Sequence, residues 1–345
     1  MAASTLDAYL ASFETGGDPL RADIAATVRS LASAALQIRK TISEGAMGAA
    51  FAAAKGSANA DGDIQKELDV HADEIFLAAS RAAPISWYAS EELSEPVLLN
   101  PEARVAIAID PLDGSSNIDT NVSIGTIFSL QPTLADDKAT FSQTGAAQLG
   151  AGFFIYGPQL ALVLTLGRGS SLFVFSSRLG TFVQVQESIT IPGEAKEFAI
   201  NTSNYRHWDE PLKLYVDDCL QGTDGPRGRD FNMRWIASMV ADAYRILIRG
   251  GVFLYPSDMR KGYRQGRLRL VYEANPIAMI VEQGGGAATD GTMRILDIVP
   301  SSLHQRTPLV FGAAKEVAKI TRYLTDPSSI GSRHPLFGNR GLFRA

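Results

Sequence analysis

Apolar residues recur along this chain with two periods, and their order predicts helices first, then strands, then an alternation of the two. Over 24–42 (IAATVRSLASAALQIRKTI), Ile24, Val28, Leu31, Ala35 and Ile38 fall on one face of a helix. The stretch 63–80 repeats the pattern with Ile64, Leu68, Ile75 and Phe76, and Asp63 stands at its N-cap position. Apolar runs at 85–89, 105–109 and 122–130 read as strands, and Gly- and Pro-punctuated runs from 150 to 186 read as hairpins. Strands and helices then alternate to residue 325. This predicts an α/β protein with mixed sheets in layers, divided into 1–190 (helical, then mixed sheet) and 191–345 (α/β). The tail 326–345 is rich in Pro and Gly, has no period, and is expected on the surface.

Composition narrows the partners. A chain of 345 residues with 46% apolar and 20% charged residues is an ordinary globular protein, large enough to need no covalent staple. The net charge of -5, with no basic run, argues against nucleic acid. No apolar run reaches membrane-helix length, and the first residues lack the basic start of a targeting peptide, so no membrane partner and a cytoplasmic location are expected. The single Cys219 excludes an internal disulfide and is expected to be a buried apolar residue.

The chemistry is concentrated where apolar runs meet acids. The run 105–109 delivers Asp110-Pro111-Leu112-Asp113-Gly114-Ser115-Ser116; "ISWYASEE" ends in Glu91 and Glu92; "LRLVYE" ends in Glu273, with Asn275 and Pro276 placed to cap and start a helix. A turn would use the same Asp, Pro, Gly and Ser residues. Carboxylates converging from several strand ends also suit hard divalent cations that meet phosphate oxygens. Asp63 and Asp69 are weaker candidates on their own. Gly114, Ser115 and Ser116 can offer N–H groups and hydroxyls to a phosphate if 116–118 opens a helix. The glycines 284–286 are expected only to end the helix begun at Pro276. His71, His207, His304 and His334 show no metal-ligand spacing.

The strings "DPLDGSSNID", "SIGTIF", "GDIQKELDV", "SMVAD", "GGVFLYP", "GRLRLVYEANP" and "LDIVPSSLHQR" closely resemble the class I fructose-1,6-bisphosphatases over roughly residues 60 to 312. The resemblance implies a layered α/β/α/β/α sandwich of the sugar phosphatase type and a homotetramer. It implies Mg²⁺, two or more ions per subunit, with Mn²⁺ able to substitute. The implied reaction is hydrolysis of the 1-phosphate of fructose 1,6-bisphosphate, in gluconeogenesis or the reductive pentose phosphate cycle. The implied metal ligands are Glu91, Asp110, the Leu112 carbonyl, Asp113 and Glu273; Asp69 and Glu92 would handle the attacking water, with Asp63 on a loop over the metals. Asp113, Gly114, Ser115 and Ser116 would hold the 1-phosphate end. Asn201, Tyr205, Tyr255, Arg267 and Arg269 would hold the sugar and 6-phosphate, and Arg234 would reach a neighbouring subunit's site.

Two departures from the family stand at that far end: Trp235 replaces a tyrosine and Arg267 a lysine, the latter exchanging a point charge for a planar fork. Sedoheptulose 1,7-bisphosphate shares the near end of the substrate and is the rival reading. A non-catalytic metabolite sensor on the same scaffold is the remote one.

Overall fold

A computed structural model describes residues 4–44, 64–118 and 120–326, with the side chains of 64–67 left aside. The first long helix, Pro19–Ser43, begins five residues earlier than its apolar stripe because Asp18 caps it, accepting from the Leu20 N–H at 2.9 Å with Pro19 in the first turn. Ile24, Val28, Leu31, Ala35 and Ile38 are all buried. The helix Ile64–Arg81 buries Leu68 and Phe76 and packs beside it. The cap expected of Asp63, and the tail beyond residue 326, lie outside the described residues.

The strands β1 (Ile85–Ser90), β2 (Val97–Leu98), β3 (Val105–Asp113), β4 (Ile124–Pro132), β5 (Gly150–Tyr156), β6 (Leu160–Thr165), β7 (Ser170–Ser176) and β8 (Thr181–Gln186) form one sheet in the order β2-β1-β3-β4-β5-β6-β7-β8. Only β1 and β3 run parallel; the other neighbours are antiparallel. A second sheet holds β9 (Glu197–Ala199), β10 (Asn232–Met233), β11 (Val252–Tyr255), β13 (Ala287–Thr289) and β15 (Leu309–Gly312), in the order β10-β9-β11-β15-β13. A two-stranded pair, β12 (Leu268–Arg269) with β14 (Arg306–Thr307), stands apart.

Side-chain alternation turns these sheets into layers. Phe154, Leu160, Leu162 and Leu164 join the N-terminal helices in one core. Their neighbours Phe153, Ala161 and Val163 enter a second core with the helices Met239–Arg249 and Asn275–Gln283. The far side of that core is closed by Phe253, Leu309 and Phe311 of the second sheet. Val252, Leu254 and Val310 face outwards against the helices Glu210–Leu220 and Ala314–Thr325. The result is helix, sheet, helix, sheet, helix. Among the described residues no helix is long and apolar enough to cross a membrane.

Three local readings change. The strand expected to end at 109 continues to Asp113, so its acids belong to the strand. Glu273 does not end a strand: only Leu268–Arg269 pairs, and Leu270–Ala274 winds as a π-helical turn straight into the next helix. Asn275 lies inside that helical run, at φ -62° and ψ -50°, and caps nothing.

Candidate active site

The site is built on a fault in the ladder between β3 and β4. Pairing is regular to Asp110 opposite Ile127 and resumes with Asp113 opposite Gly125, so Pro111 and Leu112 bulge against Thr126. Proline makes the fault natural, since it has no N–H for the ladder. Thr126 closes the bulge by donating its hydroxyl to the Pro111 carbonyl at 2.8 Å, and Asp110 accepts from the Leu112 N–H at 3.0 Å. The extra residues aim both acids into the interior. Gly114 follows at φ 76°, a left-handed geometry that glycine adopts without strain, and Ser115–Asn117 makes one 3-10 turn rather than the start of a longer helix.

Two other elements meet this bulge. Asp113 accepts from the Val240 N–H at 3.0 Å, in the first turn of the helix Met239–Arg249, where the helix dipole favours a carboxylate. Gly125 permits that approach: a Cβ there would stand 2.3 Å from the Phe154 carbonyl and 2.6 Å from a Val240 methyl. From the opposite side the π turn presents Glu273, which accepts from the Arg269 N–H at 2.5 Å.

Asp110, Asp113 and Glu273 thus offer oxygen atoms that all lie within 4.8 Å of one another, and all three residues are buried. Burial and mutual repulsion raise their proton affinity. Asp113 is pushed up to about 7, chiefly by loss of water; Asp110 and Glu273 are also raised well above the usual carboxylate range by loss of water, each with Glu91 as the next cause. Glu91 follows β1, its N–H donating to Ile109 of β3, and pairs with Arg269 at 3.1 Å. A hard divalent cation fits this all-carboxylate set, because it would meet the charge that the protein leaves largely unanswered.

Arg269 therefore sits among the acids rather than at the far end of the cleft; its Nη1 also donates to the His304 carbonyl at 3.2 Å. Glu92 is exposed, and desolvation by the surrounding protein, followed by Glu91 and Asp73, raises its carboxyl. Asp69 lies on the helix Ile64–Arg81, which packs against β1, β3 and the 115–117 turn. Asp63 is outside the described residues.

Sequence pattern passed over three contributors. Asp73, one helical turn beyond Asp69, is buried and accepts from the Tyr88 hydroxyl at 2.7 Å beneath the end of β1. Ser238 is buried with its hydroxyl 3.3 Å from where a Gly114 Cβ would be, and no partner for that hydroxyl is found among the described residues. Ala237 before it takes φ 67°, uncommon for alanine. Only the positive φ has a sequence correlate, and alanine hides it.

Beyond this end a pocket is lined by Asn201, Asn204, Trp235, Tyr255, Asp258 and Tyr263, among others. Trp235 packs its ring against Phe253 and Tyr255, at 5.7 and 6.0 Å between centroids. Tyr205 turns elsewhere, its hydroxyl 2.9 Å from Asp217, and Asn204 takes the place on the pocket wall. Arg234 is 53% exposed and is loosely paired with Glu197 at 3.8 Å.

Comparison with known proteins gives one family, from sequence and from structure alike. Family profiles described as the N-terminal and C-terminal domains of fructose-1-6-bisphosphatase match residues 10–187 and 191–325. The chain is 64% identical over 349 aligned residues to the class 1 fructose-1,6-bisphosphatase of Rhizobium meliloti (strain 1021), covering 100% of both chains. It is 54% identical to one from Nitrobacter hamburgensis, over 96% of each chain. The Leishmania major fructose-1,6-bisphosphatase in apo form superposes with a TM-score of 0.83 at 30% identity, over 94% of this chain and 100% of that one.

Proposed function

The chain belongs to the class 1 fructose-1,6-bisphosphatase family, and from that premise we propose how its own residues remove the 1-phosphate of fructose 1,6-bisphosphate. The single observation that carries the reading is the buried trio Asp110, Asp113 and Glu273. With Glu91 and the Leu112 carbonyl, these residues would hold Mg²⁺, two or more ions, with Mn²⁺ able to replace it. Bound there, divalent cations supply charge to the phosphate oxygens and acidify a water.

The protein does the rest by position. Gly114, Ser115 and Ser116 hold the 1-phosphate with N–H and hydroxyl donors, and Ser238 faces the same turn. Asp69 and Glu92 orient the attacking water and accept its proton; the raised affinity of Glu92 for a proton suits that role. The water oxygen bonds to phosphorus as the bond from phosphorus to the sugar's O1 breaks. That oxygen leaves with a proton, giving fructose 6-phosphate and phosphate. Arg269, held against Glu91, balances charge beside the reacting phosphate. Asn201, Tyr255 and Arg267 receive the sugar and the second phosphate. The exposed Arg234 serves a neighbouring subunit's site in a cytoplasmic homotetramer.

Phosphate release from fructose 1,6-bisphosphate and sedoheptulose 1,7-bisphosphate, each with Mg²⁺ and with chelator, tests the reading. Turnover of the fructose substrate should require Mg²⁺ and exceed that of the longer sugar. Release that persists in chelator would reject the metal assignment, and preference for the seven-carbon sugar would reject the substrate.

A further inference from the structure

The segment 256–266 joins Tyr255 to Arg267 and carries three cations of its own, Arg260, Lys261 and Arg264. Arg260 is already answered. It closes on the buried Asp258 with Nε 3.0 Å from Oδ1 and Nη2 2.5 Å from Oδ2, and Nη2 also donates to Asn204 Oδ1 at 2.9 Å. The pairing holds the Asp258 carboxyl below the usual carboxylate range.

The Arg260 guanidinium carbon lies 4.0 Å from the centre of the Tyr263 ring, and the Arg267 guanidinium carbon lies 4.7 Å from that same centre. Tyr263 lines the pocket with Asn201, Asn204 and Tyr255. Its own backbone is tied down, because its carbonyl accepts from the N–H groups of Asp258 and Gly266. Gly266 takes φ 77° against the Thr307 backbone, where a Cβ would come within 2.2 Å. Among the described residues no acid forms an ion pair with Arg267, and its side chain is exposed.

A long exposed arginine with no acid beside it would sample many rotamers, and each would have to be given up when an anion arrives. The ring removes that freedom. Two guanidinium groups on one ring would repel, but Asp258 cancels the charge of one and leaves the other available.

We propose that Tyr263 is a positioning residue for the second phosphate: its ring, set by the Asp258–Arg260 pair, holds the Arg267 guanidinium at the pocket mouth. The inference rests on the assignment of Arg267 to that phosphate under Proposed function.

The test is a kinetic cycle with fructose 1,6-bisphosphate and fructose 1-phosphate in saturating Mg²⁺. Tyr263→Leu should raise KM for the bisphosphate roughly two- to fivefold, the scale of an exposed cation–π contact, with kcat nearly unchanged. Fructose 1-phosphate should show no such rise, and Tyr263→Phe should behave as the parent. In an Arg267→Ala background, Tyr263→Leu should add nothing. Tyr263→Gln gives a second ringless variant should the leucine protein fail to accumulate. A full additional rise in the Arg267→Ala background, or an equal effect on fructose 1-phosphate, overturns the proposal. So does a Tyr263→Phe protein as impaired as Tyr263→Leu, since the hydroxyl would then be the working part. If Arg267→Ala alone leaves KM for the bisphosphate unchanged, the assignment of Arg267 fails first and is recognisable as such.

Discussion

Arg267 and Arg269 stand two residues apart, yet their side chains reach different neighbours. One leans on Tyr263 at the pocket wall; the other reaches Glu91 beside the buried acids. Substituting each by alanine should separate two kinetic signatures. Arg267→Ala should raise KM for the bisphosphate and spare a monophosphate. Arg269→Ala should lower kcat for both by roughly tenfold or more, since a charge-assisted contact near the reacting phosphate is lost. Matching KM effects from the two variants would contradict this division. The family resemblance assigned both arginines to the sugar and 6-phosphate site, and a two-residue spacing, which puts both on one side of an extended strand, gave no ground to separate them. Asp73 was invisible for a different reason: an acid on a helix reads as solvated until its buried partner, Tyr88, is known.

At the scale of elements, the acids converge because a bulge, a helix start and a π turn are forced together. The bulge was half legible, since Asp-Pro-Leu-Asp-Gly announces a break without telling a turn from a bulge. The π turn was not legible at all. Leu270-Val271-Tyr272 is an unbroken apolar run between Arg269 and Glu273, and a run buried on every side carries no period to distinguish strand from helix. The helix start depends on Gly125, whose missing Cβ lets Val240 approach Asp113. Gly125→Ala should cost about 1–3 kcal/mol of stability through overpacking. It should also depress turnover by moving the Val240 N–H off the carboxylate. Thermal melts and phosphate release on the same preparation check both; an alanine protein with parental melting and turnover would show that the close approach is dispensable.

For the whole molecule, layering was legible because the order of elements, helices first, then apolar strand runs, then strands alternating with helices, implies mixed sheets covered by helices. The site, however, keeps several carboxylates in a dry place. Asp113, raised from 3.8 to about 7, holds a proton in the folded metal-free protein that it would lose on unfolding in that pH range. The folded state then binds more protons than the unfolded one, so this contribution to metal-free stability falls as pH rises from 3.8 through about 7. A divalent cation needs the deprotonated carboxylates, so its stabilising effect should grow across the same window. The rise in Tm produced by Mg²⁺ should therefore be larger at about pH 8 than at about pH 5.5. An increment independent of pH would mean that the ion binds elsewhere.

If the buried acids hold the metal ions used in hydrolysis, the variant Asp113→Asn should lose most of its turnover. The substitution keeps the shape of the side chain and removes one ligand charge. The measurement is steady-state phosphate release from fructose 1,6-bisphosphate in saturating Mg²⁺, on protein whose metal-free melting matches the parent. The expected loss in kcat is about a hundredfold or more. Turnover within a few-fold of the parent would contradict it.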